Sequence, residues 1–150
     1  MANISKILCA VDFSDYSDQV AAYARDFAKA FDAEVRVVYV APSLTQYVGF
    51  HVPPSSIESF VGEIVAGAEK TMDGFVEKNF EDVLAKGQVV TGYAAEEILN
   101  YAHEEQVDMI IMGTHGRKGI DRILFGSVAE KVVKSASVPV LTLRPSSEEE

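Results

Sequence analysis

The sequence predicts a single α/β domain: a doubly wound parallel sheet of five strands in the order 3-2-1-4-5, with helices on both faces. Three observations carry this expectation. Short apolar runs alternate with segments whose apolar residues recur at helical spacing, the signature of repeated β-α units. The runs are nearly continuous in apolar character, as strands buried on both faces require. A chain of 150 residues, 48% of them hydrophobic, is one ordinary domain with enough material for a core.

Residues 4–11 (I-S-K-I-L-C-A-V) give the first strand, apolar enough to be central. A helix over about 15–31 follows, with Val20, Ala24, Phe27, Ala28 and Phe31 on one face and Ser14 or Asp15 as N-cap. Residues 33–40 form the second strand and complete a β-α-β unit, whose crossover should be right-handed. Between 41 and 54 the pattern breaks. Pro42, Gly49, Pro53 and Pro54 interrupt any regular element, while Tyr47, Phe50, His51 and Val52 are unusually apolar for a loop, so the segment reads as a lid, a dimer contact, or a loop folded back on the core. A long helix over about 55–80 has Ile57, Phe60, Val61, Ile64, Ala68, Met72, Phe75 and Val76 on its inner face. Gly62, Gly67 and Gly74 each weaken it by about 1 kcal/mol relative to alanine, and close packing is the compensation they would allow.

The third strand is short, residues 88–91, and leads into a helix over about 94–106 buried by Ala95, Ile98, Leu99 and Ala102. Residues 107–112 are the fourth strand, 127–135 the last helix and 138–143 the fifth strand. The domain is expected to span 1–145, with a polar acidic tail at 146–150 that is disordered.

Composition excludes several functions. A net charge of −10 argues against nucleic acid, whose phosphates are bound by basic surfaces. No apolar run approaches the roughly 18 residues of a membrane span, and the first residues lack a signal-peptide pattern, so a cytoplasmic location is expected. Cys9, the only cysteine, lies in an apolar run and reads as a buried, inert thiol. No His/Cys group has zinc spacing, no G-x-S-x-G elbow is present, and His51 and His103 are isolated, so no catalytic residue and no metal ligand is assigned.

Topology supplies the first argument for a site. Open parallel sheets bind ligands beyond the carboxyl ends of their strands, where the strand order reverses. In the order 3-2-1-4-5 that reversal lies between strands one and four, which brings Asp12 and Gly113 to one crevice. Residues 112–128 read M-G-T-H-G-R-K-G-I-D-R-I-L-F-G-S-V, a glycine-bearing loop between a buried strand and a helix. Gly113 and Gly116 would let the main chain turn sharply near a ligand, and Gly126 and Ser127 sit where the helix dipole favours an anion. Arg117, Lys118 and Arg122 against Asp121 make a locally positive patch, either a polyphosphate site or an ordinary solvated loop.

The stretch is neither a P-loop nor G-x-G-x-x-G. It matches G-x2-G-x9-G-[ST] at Gly113, Gly116, Gly126 and Ser127, and so resembles the ATP-binding type of the universal stress protein family. The resemblance covers essentially the whole chain, from A-V-D-F-S after the first strand to S-V-P-V-L near the end. It implies nucleotide contacts at Ala10, Asp12, Val40, Met112, Gly113, Thr114, His115, Gly116, Arg117, Lys118, Gly126, Ser127 and Val128. Ala10-Val11 departs from the Pro-Thr that members often carry there. Asp12 would accept from ribose hydroxyls, or cap the following helix. The Val40 backbone would meet an adenine edge. N–H groups from Gly113 to Lys118, with the Ser127 hydroxyl, would cradle phosphates, and Mg²⁺ would enter bound to those phosphates. His115 would lie near a γ-phosphate, or serve as a neutral hydrogen-bond donor.

The function implied is an ATP-binding module of the stress response with slow or no hydrolysis. The alternative is a dimeric scaffold with a vestigial pocket, in which the dimer and the loop at 42–54 act. The family is typically dimeric, cytoplasmic and induced under stress. A homodimer also has a physical motive, because the fifth strand (Val138, Val140, Leu141, Leu143) would be an apolar sheet edge, and Pro139 suits an edge.

Overall fold

In the computed structural model, which describes residues 3–41, 43, 54–114 and 126–144, the order of elements is β1 (Lys6–Ala10), α1 (Ser17–Phe31), β2 (Glu34–Ala41), α2 (Pro54–Asn79), β3 (Ala85–Thr91), α3 (Ala94–Glu104), β4 (Met109–Gly113), α4 (Ser127–Ser135) and β5 (Val140–Leu143). The sheet order is β3-β2-β1-β4-β5, parallel at every pairing, as the sequence predicts. The tail at 146–150 and the aromatic stretch 44–53 lie outside the described residues.

The central strands are buried on both faces because successive side chains alternate. Ile7 and Cys9 of β1, Val35 and Val37 of β2 and Ile111 of β4 face α1 and α2, where Val20, Ala24, Ala28 and Met72 cover them. Leu8, Val38 and Ile110 face the other way, onto Ala95, Ile98 and Ala102 of α3 and Ala129 and Val132 of α4. Cys9 is fully buried, and desolvation of its thiolate pushes the thiol up to about 12, which makes it inert.

Several boundaries differ from expectation. β3 begins at Ala85, not 88, because Lys86 and Gly87 pair with Arg36 and Val37 although neither has strand character. β5 begins at Val140, after Pro139, whose ring nitrogen cannot donate; its carbonyl accepts from the Ile110 N–H at 2.9 Å. α3 stops at Glu104, since Gln106 adopts a left-handed φ of 53°. Phe31 and Phe60 do not reach the core and are 46% and 49% exposed. In α2 the buried line runs through Val61, Ala68 and Met72, and Phe60 sits about 100° around the helix from Val61.

The glycines of α2 also depart from expectation. A Cβ at Gly62, Gly67 or Gly74 would meet nothing within 4 Å, so these residues serve no close packing. Crowding is found instead at Gly87 of β3, where a Cβ would run into Cγ of Met72 and lie 2.8 Å from its sulfur, and at Gly92, where it would lie 2.8 Å from Cγ of Glu97.

At the amino ends of β1 and β4 the register is set by one carboxylate. Asp108 Oδ2 accepts from the N–H groups of Ser5 (2.9 Å) and Lys6 (3.0 Å) and from the Ser5 hydroxyl (3.0 Å). These bonds, the Ser5 N–H first, hold its carboxyl below the usual carboxylate range.

Two predictions follow from this packing. Alanine at 62, 67 or 74 should raise stability by about 0.5–1 kcal/mol each, while Gly87→Ala should lower it by about 1–3 kcal/mol through overpacking against buried Met72; urea midpoints would separate the two classes. Asp108 has a depressed folded-state pKa, so its contribution is present above the unfolded value near 3.9 and is lost as pH falls through the folded one. Asp108→Asn should therefore be less stable than the parent at neutral pH, by about 1 kcal/mol, with the gap closing below about pH 4; denaturation at a series of pH values measures it.

Candidate functional site

The reversal of strand order between β1 and β4 opens a cavity of about 350 Å³. Its floor is the carboxyl ends of three strands: Ala10 to Asp12 at the end of β1, Val38 to Val40 of β2, and Met112 to Thr114 at the end of β4. Its walls are first turns of helices: Tyr16 and Ser17 of α1, Ala94 with Ile98 of α3, and Gly126 to Ala129 of α4. Nine of the thirteen candidate residues therefore meet around one space: Ala10, Asp12, Val40, Met112, Gly113, Thr114, Gly126, Ser127 and Val128. His115, Gly116, Arg117 and Lys118 lie outside the described residues, as does Arg122.

Each floor strand presents something different. β1 ends at Ala10, opposite Val38, and the Val11 N–H still donates to the Val38 carbonyl at 3.0 Å. Backbone groups of a strand face alternate edges with a period of two. Val35 and Ala41 bond toward β3, through the Leu84 carbonyl and the Gly92 N–H, and Val38 bonds toward β1. By that parity the N–H and C=O of Val40 face the β1 side, two residues beyond the end of β1. They form an open stretch of sheet edge inside the cavity.

Asp12 is braced by its own turn. Its Oδ1 accepts from the Ser14 N–H at 2.9 Å and the Ser17 hydroxyl at 3.2 Å. The helix begins at Ser17 rather than Asp15, and neither Ser14 nor Asp15 is its cap: the N-cap is Tyr16, with no side-chain cap bond. The turn passes through Phe13 at φ 60°, a left-handed conformation that costs an L-residue roughly 1–2 kcal/mol. The ring of Phe13 lies 4.7 Å from that of Tyr39 and 5.7 Å from that of Phe75, centroid to centroid.

Thr114 closes the third corner. Buried at 7% exposure, it donates its N–H to the Leu143 carbonyl at 2.7 Å and accepts the Gly126 N–H at 2.7 Å. Thr114 and Gly126 are thereby held together, and α4 starts beside β4. Gly113 proves to be the last residue of β4, in register with Leu143, and not a turn. Gly126 is the N-cap of α4 at φ −75° and ψ 160°, a conformation any residue can adopt. Its glycine is therefore not demanded by backbone strain.

What Gly126 lacks is a capping side chain. Ser, Thr or Asp at an N-cap folds over the first turn and takes one of its N–H groups. α1, α3 and α4 all start without a side-chain cap, and all three open onto the cavity. The first N–H groups of α4 have no intrahelical acceptor, and the positive end of its dipole meets the floor. An apolar chamber with an open backbone edge, one carboxylate and a helix N-terminus is complementary to a flat polar heterocycle joined to hydroxyls and an anion. Sequence reasoning missed Tyr16, Ser17 and Ile98 as lining residues; Ile98 was legible only as core.

A profile of the universal stress protein family matches residues 3–144. The chain belongs to the universal stress protein family. A universal stress protein of Methanocaldococcus jannaschii is 36% identical over 141 residues, covering 93% of this chain and 81% of its own. The solved structure of a second protein of that organism superimposes with a TM-score of 0.84 at 26% identity, covering 97% of this chain and 99% of the other. At 20% identity and a TM-score of 0.68, the universal stress protein of Archaeoglobus fulgidus solved with dAMP shares the fold over 96% of this chain and 100% of its own. So does a universal stress protein solved with cAMP, at 18% identity and a TM-score of 0.72, over 96% and 99%. Among the described residues no helix is long and apolar enough to cross a membrane.

Gly126→Ser would supply the missing cap to α4 and should raise stability by a few tenths of a kcal/mol, roughly the difference between serine and glycine at an N-cap. A thermal melt of the ligand-free protein measures it, and a lower melting temperature would contradict the reading of Gly126 as an open cap.

Proposed function

We propose that the cavity binds an adenine nucleotide, ATP in the first place, and that the chain is a nucleotide-dependent module of the stress response with slow or no hydrolysis. One observation carries the reading. The open backbone edge at Val40, the Asp12 carboxylate and the uncapped start of α4 line the same cavity of about 350 Å³, and they follow β2, β1 and β4, which are neighbours in that order. The N–H and C=O of Val40 suit the edge of adenine, and the apolar side chains of Ile98 and Val128 line the same cavity. The Asp12 carboxylate, an acceptor-only group on the cavity lining, suits ribose hydroxyls. The N–H groups at Ser127 and Val128, with the Ser127 hydroxyl, suit phosphate oxygens. The resemblance extends the phosphate cradle through Thr114, His115, Gly116, Arg117 and Lys118. Mg²⁺ would arrive on the phosphates. Family members solved with dAMP and cAMP agree with the ligand class but do not choose ATP within it.

We propose further that the protein works in the cytoplasm as a homodimer through β5. That strand is the sheet edge beyond β4, and its four residues, Val140 to Leu143, are all half-buried, leaving apolar area for a second copy.

Isothermal titration of Mg²⁺-ATP into protein stripped of nucleotide should give binding near a Kd of about 1 μM, weakened at least about tenfold in Gly113→Val and Gly126→Val. Absence of binding to the folded parent would sink the nucleotide reading and leave the scaffold. Sedimentation equilibrium at micromolar concentration should give twice the chain mass, and Leu141→Lys with Leu143→Lys should give the monomer; a monomeric parent removes the dimer.

A further inference from the structure

We propose that Phe13 is the positioning residue of this site: its ring, held between Tyr39 and Phe75, fixes the left-handed turn that keeps Asp12 on the cavity wall. The inference rests on the nucleotide reading above and adds a residue that the glycine motif does not contain.

Beyond the end of β1 the side chains of residues 12, 13 and 14 still alternate between the two faces. Asp12 and Ser14 both line the cavity, while Phe13 between them packs into the core on the α1 and α2 side of the sheet. What departs from a strand is the backbone at Phe13, at φ 60°, in the region that glycine and asparagine occupy readily and a bulky residue rarely does. A bulky residue stays in such a conformation only when its surroundings over-determine it. Here the surroundings are aromatic: Tyr39 at 4.7 Å, itself on the cavity floor, and Phe75 of α2 at 5.7 Å. Without that ring the left-handed turn loses the packing that offsets its strain, and the backbone relaxes toward an ordinary φ. The Ser14 N–H then leaves Asp12 Oδ1, and the carboxylate loses a donor that braces it there. Phe13 touches no ligand in this account; it acts through Asp12.

The test is a double-mutant cycle on ATP affinity, with amide hydrogen exchange of the nucleotide-free protein beside it. Phe13→Leu should weaken ATP binding roughly tenfold when Asp12 is present and less than about twofold in an Asp12→Asn background, because residues acting as a unit are not additive. Exchange at the Ser14 amide should accelerate in Phe13→Leu, while the core amide of Ile110 shifts only with global stability. Should Phe13→Leu fail to fold, Phe75→Leu loosens the ring without touching the turn and should move both readouts in the same direction by less. Equal losses of affinity in both backgrounds, with Ser14 protection unchanged, would overturn the proposal. If the parent binds no ATP, the nucleotide reading fails on its own. Ser14 exchange then decides about Phe13: acceleration upholds its hold on the turn, and no change overturns it.

Discussion

The parallel pairing of β1 with β4 is the constraint from which the rest of the molecule follows. Ala10 stands beside Met112, with β2 on one side of the pair and β5 on the other. Both strands are buried on both faces, so neither can carry a charge along its length, and polar chemistry is pushed to their two ends. At the amino end Asp108 gathers two backbone N–H groups and a hydroxyl and sets the register. At the carboxyl end the chain leaves β1 for a helix on one face and β4 for a helix on the other. Two departures in opposite directions open a gap between them. The cavity is that gap.

Keeping the gap open requires each departing chain to be held. After β4 this falls to Thr114, which ties the loop base to β5 on one side and to the start of α4 on the other, at 2.7 Å each. After β1 the hold combines the Asp12 turn with the buried ring of Phe13. One corner is made by hydrogen bonds between backbone groups, and the other by aromatic packing that sustains a strained backbone. The two ends of the paired strands thus use the same residue type for different purposes: Asp108 satisfies backbone donors to fix register, whereas Asp12 satisfies a turn at a cavity wall.

Much of this was legible in the residues, and the limits have physical causes. The buried strands announce themselves because I-L-C-A-V and M-I-I-M leave no alternative burial, and the reversal point follows from topology alone. The start of β3 is not legible because it is an edge strand: Lys86 is exposed, and the room that Gly87 leaves for Met72 is a cause that lies on another element. Phe60 was misplaced because helical periodicity fixes a stripe to within about one residue, and the sheet chose the line through Val61. Glycine itself was read too simply. Gly113 is strand and Gly126 has an ordinary φ, so the motif does not record turns at those positions.

What the motif does record at Gly126 is a helix start left uncovered. A serine or aspartate there would occupy the first-turn donors internally, and internal satisfaction is the more stable choice for a helix standing alone. Ser127 follows immediately, one position too late to be the N-cap of α4. The chain thus keeps a hydroxyl at the helix entrance and forgoes the cap it could have made. A neighbouring anion recovers the lost interaction, and does so with the dipole as well as the hydrogen bond. The same logic extends to α3, which also begins uncapped at the cavity wall, whereas in α1 the Ser17 and Gln19 N–H groups are already taken by the Ser14 and Tyr16 carbonyls. Helix stability that local sequence could have secured has been left available to whatever occupies the space between β1 and β4.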